Sequence, residues 1–174
     1  MNTMDILKTR EYKILILEDS STDAELMERE LRKGGLKFVS KVVSTKDDFS
    51  NALDTFIPDI ILADFKLPGF DGLSALKIAK EKRPAYPFIL VTGEMREEDA
   101  VLSLKNGAID YILKSNLTRL ESAVKRALAD VQKTNKLKSS EGAEQMNKFM
   151  IGRESKMADL KEEIKELKNK LGEE

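Results

Sequence analysis

Carboxylate, hydroxyl and ammonium side chains follow four short apolar runs of this chain. The runs at 14–17, 60–63, 88–91 and 111–113 end at Glu18 and Asp19, at Asp64, at Thr92 and at Lys114. If the runs are parallel strands of one sheet, these side chains meet at one edge, because open parallel sheets bind ligands at the carboxyl ends of their strands.

The three carboxylates predict a site for a hard cation and a phosphoryl group. A carboxylate attacks phosphorus only when the charge of the incoming group is offset, and Mg²⁺ bound by oxygen ligands supplies that offset. Asp19 and Asp64 fit as direct ligands, and Glu18 fits as a ligand through water. The site therefore predicts Mg²⁺, with Mn²⁺ as an alternative.

The other two strand ends predict contacts to the phosphoryl oxygens. Lys114 would add positive charge, and Thr92 would donate a hydrogen bond from its hydroxyl. Gly93 follows Thr92 and carries no side chain that could block access. Phosphate binding is therefore expected at Thr92, Gly93 and Lys114.

The composition excludes several classes of protein. The 174 residues include neither Cys nor His, so a thiolate nucleophile, a thiolate zinc site and a phosphohistidine carrier are all excluded. Lys and Arg number 30 against 31 Asp and Glu, which gives no net attraction to nucleic acid or anionic lipid. With no apolar run long enough to cross a bilayer, we expect a cytoplasmic protein that binds neither membrane nor nucleic acid.

Apolar runs alternate with helical stretches over the first 138 residues. Strands are expected at 13–17, 38–43, 59–63, 88–91 and 110–113. This alternation predicts an α/β fold with a parallel sheet and helices on both faces. Thr22 with Glu25 predicts the start of the first helix, and Gly34 with Gly35 predicts its end.

A heptad pattern follows a break at residues 139–142. The apolar positions of residues 143–174 recur at heptad spacing and include Met150, Met157, Leu160, Ile164, Leu167 and Leu171. An apolar seam of this width suits a partner helix, either in a homodimeric coiled coil or docked on the rest of the chain or on a kinase. The segment is too short and too acidic for a helix-turn-helix DNA reader.

Four motifs resemble those of the receiver domain of two-component response regulators. They are Glu18-Asp19, Asp64 with Leu67-Pro68-Gly69 and Asp71-Gly72, Val91-Thr92-Gly93, and the run from Gly107 to Lys114. The resemblance covers about residues 12–137. It implies a flavodoxin-like sheet of five parallel strands in the order 2-1-3-4-5 with five helices. We expect this domain to occupy residues 12–138 and to follow an N-terminal extension at 1–11.

The resemblance also implies a role for each motif residue. Asp64 would be the phosphoacceptor, served by a sensor histidine kinase or another phosphohistidine protein. Asp19 would bind Mg²⁺ with help from Glu18, and the main-chain carbonyl of Lys66 would complete the protein ligands. Such a receiver promotes only its own phosphoryl transfer and dephosphorylation.

The remaining motif residues would contact the phosphoryl group or move in response to it. Thr92 and Lys114 would contact it, and Tyr111 would turn inward as Thr92 moves toward it. The switched surface would be the face of the fourth helix, fifth strand and fifth helix, which leads into the C-terminal helix. One departure is Ser115, which stands where the family commonly has a proline in a cis peptide.

Other interpretations stay open. Lys66 and Glu94, each two residues after a site residue, are expected either to pair across the mouth of the site or to remain solvated. The protein could instead be an interaction adaptor or a phosphate sink in a phosphorelay. A phosphatase with an aspartate nucleophile is a remote alternative, because those enzymes usually need a second Asp at the position of Lys66.

Overall fold

The computed structural model describes residues 9–140, together with Ala158 and Glu162. The chain divides into two compact units, Met1–Val131 and Gln132–Glu174. The predicted heptad helix at 143–174 lies outside the described residues except for Ala158 and Glu162, which are both helical. Of the predicted hinge, Ser139 and Ser140 belong to a helix, and residues 141 and 142 are not described.

Helices and strands alternate along the first unit. The strands are β1 (Tyr12–Leu17), β2 (Phe38–Val43), β3 (Ile60–Ala63), β4 (Lys66–Leu67), β5 (Phe70–Asp71), β6 (Phe88–Thr92) and β7 (Asp110–Leu113). The helices are α1 (Ser21–Lys33), α2 (Lys46–Thr55), α3 (Gly72–Lys82), α4 (Glu97–Lys105) and α5 (Leu120–Ser140), with a 3₁₀ segment at Lys114–Arg119. Each predicted strand is therefore confirmed to within one residue at either end.

Five of the strands form one parallel sheet. Its order is β2-β1-β3-β6-β7, which is 2-1-3-4-5 when only these five strands are counted, as predicted. The register aligns Leu17 with Ala63 and Thr92 with Leu113. The carboxyl ends of neighbouring strands consequently lie at one edge of the sheet, and the polar residues that follow them are brought together.

Both faces of the sheet are covered, because β1 alternates between two buried clusters. Ile14 and Ile16 pack with residues of α1 and α5, whereas Leu15 and Leu17 pack with residues of α2 and α3. All four side chains are 0 % exposed. A strand that is apolar on both faces is typical of a central strand in a parallel sheet.

The structure differs from the sequence expectations at two local points. The side chain of Ser20, rather than Thr22, caps α1 by accepting from the N–H of Asp23. A two-stranded hairpin of β4 and β5 follows β3, and its strands are too short to be recognised from alternation. In the part of the chain that the structure describes, no helix is both long and apolar enough to cross a membrane.

Candidate phosphoryl-acceptor site

Asp64 occupies the end of β3, the central strand of the sheet. Its N–H donates to the carbonyl of Leu17 at 2.9 Å, which continues the pairing of β3 with β1 by one residue. The next carbonyl, of Phe65, accepts from the N–H of Gly72 at 2.9 Å and fixes the turn toward α3. Asp64 is 7 % exposed, so its carboxylate is held at a defined place just below the surface.

Glu18 and Asp19 follow β1 and lie beside Asp64. Glu18 is 2 % exposed, and its N–H donates to the carbonyl of Val43 on β2. Its Oε1 accepts from the N–H of Ser20 at 3.0 Å, so the side chain points back into the sheet edge. Asp19 is exposed. Carboxylate oxygens of Glu18, Asp19 and Asp64 all lie within 4.8 Å of one another.

The Lys114 ammonium lies among three carboxylates at the end of β7. Its Nζ donates to Asp64 Oδ2 at 2.8 Å and to Asp23 Oδ2 at 2.7 Å. Glu18 Oε2 lies 2.8 Å from the same Nζ, as an ion pair without hydrogen-bond geometry. All peptide bonds of the described residues are trans, including Lys114–Ser115, and with this trans loop the ammonium reaches Asp64.

The charges in this cluster shift two pKa values. Burial disfavours the Lys114 ammonium, but its contacts with Asp23, Asp64 and Glu18 outweigh burial and raise the pKa of Lys114 above the usual 10.5. Burial is also the largest influence on Glu18 and raises its pKa above 4.5, although the Lys114 ammonium and the Ser20 N–H act in the opposite direction. The charged form of Glu18 is therefore less favourable in the folded protein than in the unfolded chain.

The donor set fits a hard divalent cation. Glu18 Oε2 is a buried carboxylate oxygen that lies 2.8 Å from the Lys114 ammonium but outside hydrogen-bond geometry, so its lone pairs are available to a bound cation. The three clustered groups are all oxygen donors, which Mg²⁺ and Mn²⁺ prefer. Glu18, Asp19 and Asp64 are the residues that would bind such a cation.

Thr92 and Gly93 lie at the end of β6, next to Asp64. Thr92 is 1 % exposed, and its hydroxyl donates to the carbonyl of Glu94 at 3.1 Å. A Cβ built on Gly93 would meet no heavy atom within 4 Å, so this position leaves the approach to the site open. In this structure the Thr92 hydroxyl is thus engaged with its own loop rather than with the acceptor.

Lys66 and Tyr111 lie on the rim of the site. The N–H of Lys66 donates to Asp64 Oδ1 at 3.3 Å, and Tyr111 on β7 is 36 % exposed. Lys66 and Glu94 line one cavity of about 480 Å³, but among the described residues they form no ion pair. The predicted pairing across the mouth is therefore not present, and the solvated alternative describes these two side chains.

Asp23 is a site residue that the sequence did not suggest. It lies in the first turn of α1, and its carboxylate reaches Lys114 across 91 positions of sequence. An acidic residue in the first turn of a helix is common, because it complements the helix dipole. No local pattern therefore distinguished Asp23 from an ordinary helix-start acid.

The family model for the response regulator receiver domain matches residues 14–125. The chain belongs to this family. The match covers every strand of the parallel sheet from Ile14 onward and includes Asp64 and Lys114. The resemblance seen in the motifs is thereby confirmed.

Two curated relatives of the receiver domain are regulators of transcription. The DNA-binding transcriptional regulator NtrC of Proteus hauseri is 28 % identical over 148 residues, which are 84 % of this chain and 31 % of the relative. The transcriptional regulatory protein ZraR of Salmonella typhimurium is 31 % identical over 152 residues, covering 87 % of this chain and 34 % of the relative. The chain thus spans about a third of the length of these relatives, and the expectation that it binds no nucleic acid stays a prediction.

Solved structures confirm the fold of the receiver domain. A CheY-like response regulator receiver domain protein from Methanospirillum hungatei superposes with a TM-score of 0.64 at 28 % identity, covering 72 % of this chain and 99 % of that one. The BeF3-activated receiver domain of DrrB matches with a TM-score of 0.60 at 28 % identity, covering 68 % and 98 %. Both place this chain among flavodoxin-like α/β folds.

Proposed function

We propose that this receiver domain accepts a phosphoryl group on Asp64 from the phosphohistidine of a sensor histidine kinase or a related carrier. The observation that supports this most directly is the contact of 2.8 Å between Lys114 Nζ and Asp64 Oδ2. That contact places a fixed positive charge against the oxygen that would bond to phosphorus.

The transfer exchanges one bond for another. A carboxylate oxygen of Asp64 attacks phosphorus, and the bond between phosphorus and the donor's imidazole nitrogen breaks with its electron pair remaining on that nitrogen. The donor histidine belongs to another protein, because this chain contains none. Water later cleaves the acyl phosphate and regenerates the Asp64 carboxylate, so turnover is limited to the domain's own phosphoryl group.

Four further residues bind the phosphoryl group, respond to it or leave room for it. Lys114 stays near the acceptor and binds a phosphoryl oxygen. The Thr92 hydroxyl leaves the carbonyl of Glu94 and donates to another phosphoryl oxygen, and Tyr111 turns inward from its exposed position as Thr92 moves. Gly93 leaves room for the phosphoryl group.

A divalent cation at Glu18, Asp19 and Asp64, with the main-chain carbonyl of Lys66, would offset the negative charge of the phosphoryl oxygens. We propose Mg²⁺ as this cation. The clustering of the three carboxylates and the buried Oε2 of Glu18 support this choice.

The output surface is the face formed by α4, β7 and α5. Several large apolar side chains on α4 and β7 are between 36 % and 45 % exposed, namely Val101, Leu102, Leu104, Tyr111 and Leu113. We propose that phosphorylation changes how this face, together with the C-terminal residues, binds a second copy or another partner. The position of Tyr111 on this face links it to the acceptor site.

Labelling by a small phosphodonor tests the acceptor. Purified protein is incubated with Mg²⁺ and radiolabelled acetyl phosphate, and we expect label in the wild type but not in Asp64→Asn. Asp47→Asn removes an exposed carboxylate at the start of α2 and is the matched control, which should label normally. An unlabelled wild type would contradict the function, and a labelled Asp64→Asn protein would contradict the assignment of the acceptor.

Measurements of oligomeric mass and hydrogen exchange test the proposed output surface. Mass is measured by light scattering with and without beryllofluoride, a phosphoryl mimic, and hydrogen exchange is followed over α4, β7 and residues 132–174. A change in mass or in exchange supports switching. Unchanged mass and unchanged exchange would instead favour the phosphate-sink alternative.

A further inference from the structure

Three carboxylates contact the Lys114 ammonium, and they differ in the other roles that they can take. Asp64 is the proposed acceptor, and Glu18 belongs to the group of carboxylates that fits a metal ion. Asp23 lies outside that group, although its contact with Nζ is the shortest of the three, at 2.7 Å. Asp23 therefore contacts the lysine without taking either of the other two roles.

Asp23 is itself held in place by the loop that carries the metal-site residues. Its N–H donates to Ser20 Oγ at 3.2 Å, and the N–H of Ser20 donates to Glu18 Oε1 at 3.0 Å. The side chains of Asp23 and Lys114 are only 34 % and 19 % exposed. A continuous set of hydrogen bonds thus connects the end of β1 through the first turn of α1 to the lysine.

We propose that Asp23 is a positioning residue, which holds the Lys114 ammonium at the acceptor through the whole phosphorylation cycle. This inference rests on the proposed function of Asp64. When a phosphoryl group occupies the Asp64 oxygen and a cation occupies Glu18, the lysine loses two of its three present partners. Asp23 retains its contact and keeps Nζ within reach of a phosphoryl oxygen.

The geometry explains why such a tether is needed. A lysine side chain has four rotatable bonds, and an ammonium free to sample solvent would have to be ordered again before each transfer. Lys114 also begins a 3₁₀ segment that includes Asn116, whose φ of −138° and ψ of 57° interrupt the helical geometry. The Lys114 side chain thus leaves an irregular segment, and the carboxylate of Asp23 on α1 gives its ammonium a fixed partner beside Asp64.

A double-mutant cycle tests the inference through Lys114. Initial phosphorylation rates with acetyl phosphate and Mg²⁺ are measured for wild type, Asp23→Asn, Lys114→Gln and the double variant. We expect Asp23→Asn to lower the maximal rate by roughly threefold or more in the wild-type background and to have no effect in the Lys114→Gln background. Equal effects in both backgrounds, or no effect in either, would overturn the proposal.

Controls separate positioning from net charge. Glu25→Gln removes an exposed carboxylate from the same helix and should leave the rate within about twofold of the wild type. Asp23→Glu keeps the carboxylate and should recover part of the lost rate. If Glu25→Gln were as slow as Asp23→Asn, the effect would be one of overall charge and the proposal would fail.

A second measurement does not depend on phosphorylation. Reductive methylation of the protein without phosphodonor, followed by peptide mass analysis, reports the accessibility of each lysine. We expect Lys114 to be methylated faster in Asp23→Asn than in wild type, while Lys80, bound to the carbonyls of Pro84 and Tyr86, is unchanged. An unlabelled wild type in the rate assay would contradict the acceptor function, whereas unchanged Lys114 reactivity would contradict only the role of Asp23.

Discussion

Gly72 lies directly against the backbone of Asp64. A Cβ built on Gly72 would fall 2.6 Å from the carbonyl oxygen of Asp64 and 2.9 Å from Cα of Phe65. Neither atom belongs to a flexible side-chain end, so the backbone would have to shift. The first residue of α3 thus packs against the acceptor with no space for a methyl group.

Substitution of this glycine should therefore damage both stability and the site. We expect Gly72→Ala to lower the free energy of unfolding by about 2 kcal/mol, as overpacking against backbone does, and to slow phosphorylation. Gly93→Ala is the stability control, because its Cβ meets no heavy atom within 4 Å. Urea denaturation of both variants measures the difference, and equal stabilities would contradict the close approach.

Ile57 offers a site for stabilisation. Its φ is +52°, which makes it the one described residue other than glycine with a positive φ. The left-handed conformation costs an L-residue about 1 kcal/mol or more, and Asn tolerates it better. Because Ile57 is 47 % exposed, its replacement loses little apolar burial.

We expect Ile57→Asn to raise the free energy of unfolding by roughly 0.5 to 1 kcal/mol. Ile109→Asn is the matched control, since Ile109 is 41 % exposed and has no positive φ. Thermal and urea unfolding measure both. If Ile109→Asn raised the free energy of unfolding as much as Ile57→Asn, the cause would be greater surface polarity rather than relief of backbone strain.

The raised pKa of Glu18 predicts a pH-dependent stability. Folding favours the protonated form of this carboxyl, so its contribution to stability is fully present below the ordinary pKa of 4.5 and is lost as pH rises through the raised folded value. Glu18→Gln imitates the protonated form at every pH. Measured in EDTA, the variant should therefore gain stability relative to wild type between pH 4 and pH 8.

The same comparison with Glu25→Gln gives the control, because Glu25 is exposed on α1. Its stability difference from wild type should stay within about 0.5 kcal/mol. A constant difference between Glu18→Gln and wild type across this pH range would contradict the electrostatic cost assigned to the buried Glu18.

Mg²⁺ should stabilise the folded protein through its carboxylates. At ten times the dissociation constant, a ligand that binds only the folded state adds about 1.4 kcal/mol. We expect this gain for the wild type and for Asp47→Asn, and its loss in Asp19→Asn. Unfolding is followed with Mg²⁺ and again after removal with EDTA, and an equal gain in Asp19→Asn would contradict the ligand role of Asp19.

Tyr111 can report its own movement. The sequence has three Tyr and no Trp, and Tyr12 and Tyr86 are only 1 % and 3 % exposed, so quencher-accessible emission comes mainly from Tyr111. If Tyr111 turns inward, beryllofluoride with Mg²⁺ should lower the fraction of fluorescence that acrylamide quenches. Thr92→Ala should weaken this response, and unchanged quenching in the wild type would contradict the switch.

The strand-end residues were predictable because each follows a continuous apolar run. A parallel sheet needs such runs in its central strands, and its topology brings their ends to one edge. The strand-end residues that the sequence places at this edge are Glu18, Asp19, Asp64, Thr92 and Lys114. The assignment of these residues to one common site depended on the family motifs as well as on this rule.

Asp23 and the conformation of Thr92 were not predictable in this way. The contact of Asp23 with Lys114 depends on the packing of α1 against the 3₁₀ segment that begins at Lys114, which no window of sequence contains. The Thr92 hydroxyl donates to the carbonyl of Glu94, and this bond depends on the geometry of the loop after β6, which the sequence does not specify. The helix through Ser139 and Ser140 was likewise missed, because Ser-Ser weakens a helix without ending it.

The contacts of Lys114 join parts of the chain that are far apart in sequence. Its partners Asp23 and Asp64 precede it by 91 and 50 positions, and β7, which carries it, joins the sheet only through β6. A nascent chain that ends before residue 114 has the acceptor carboxylate without its ammonium. We therefore expect the Lys114 ammonium to reach Asp64 only after the last strand of the sheet has been synthesised and has paired with β6, which makes this contact a late event in folding.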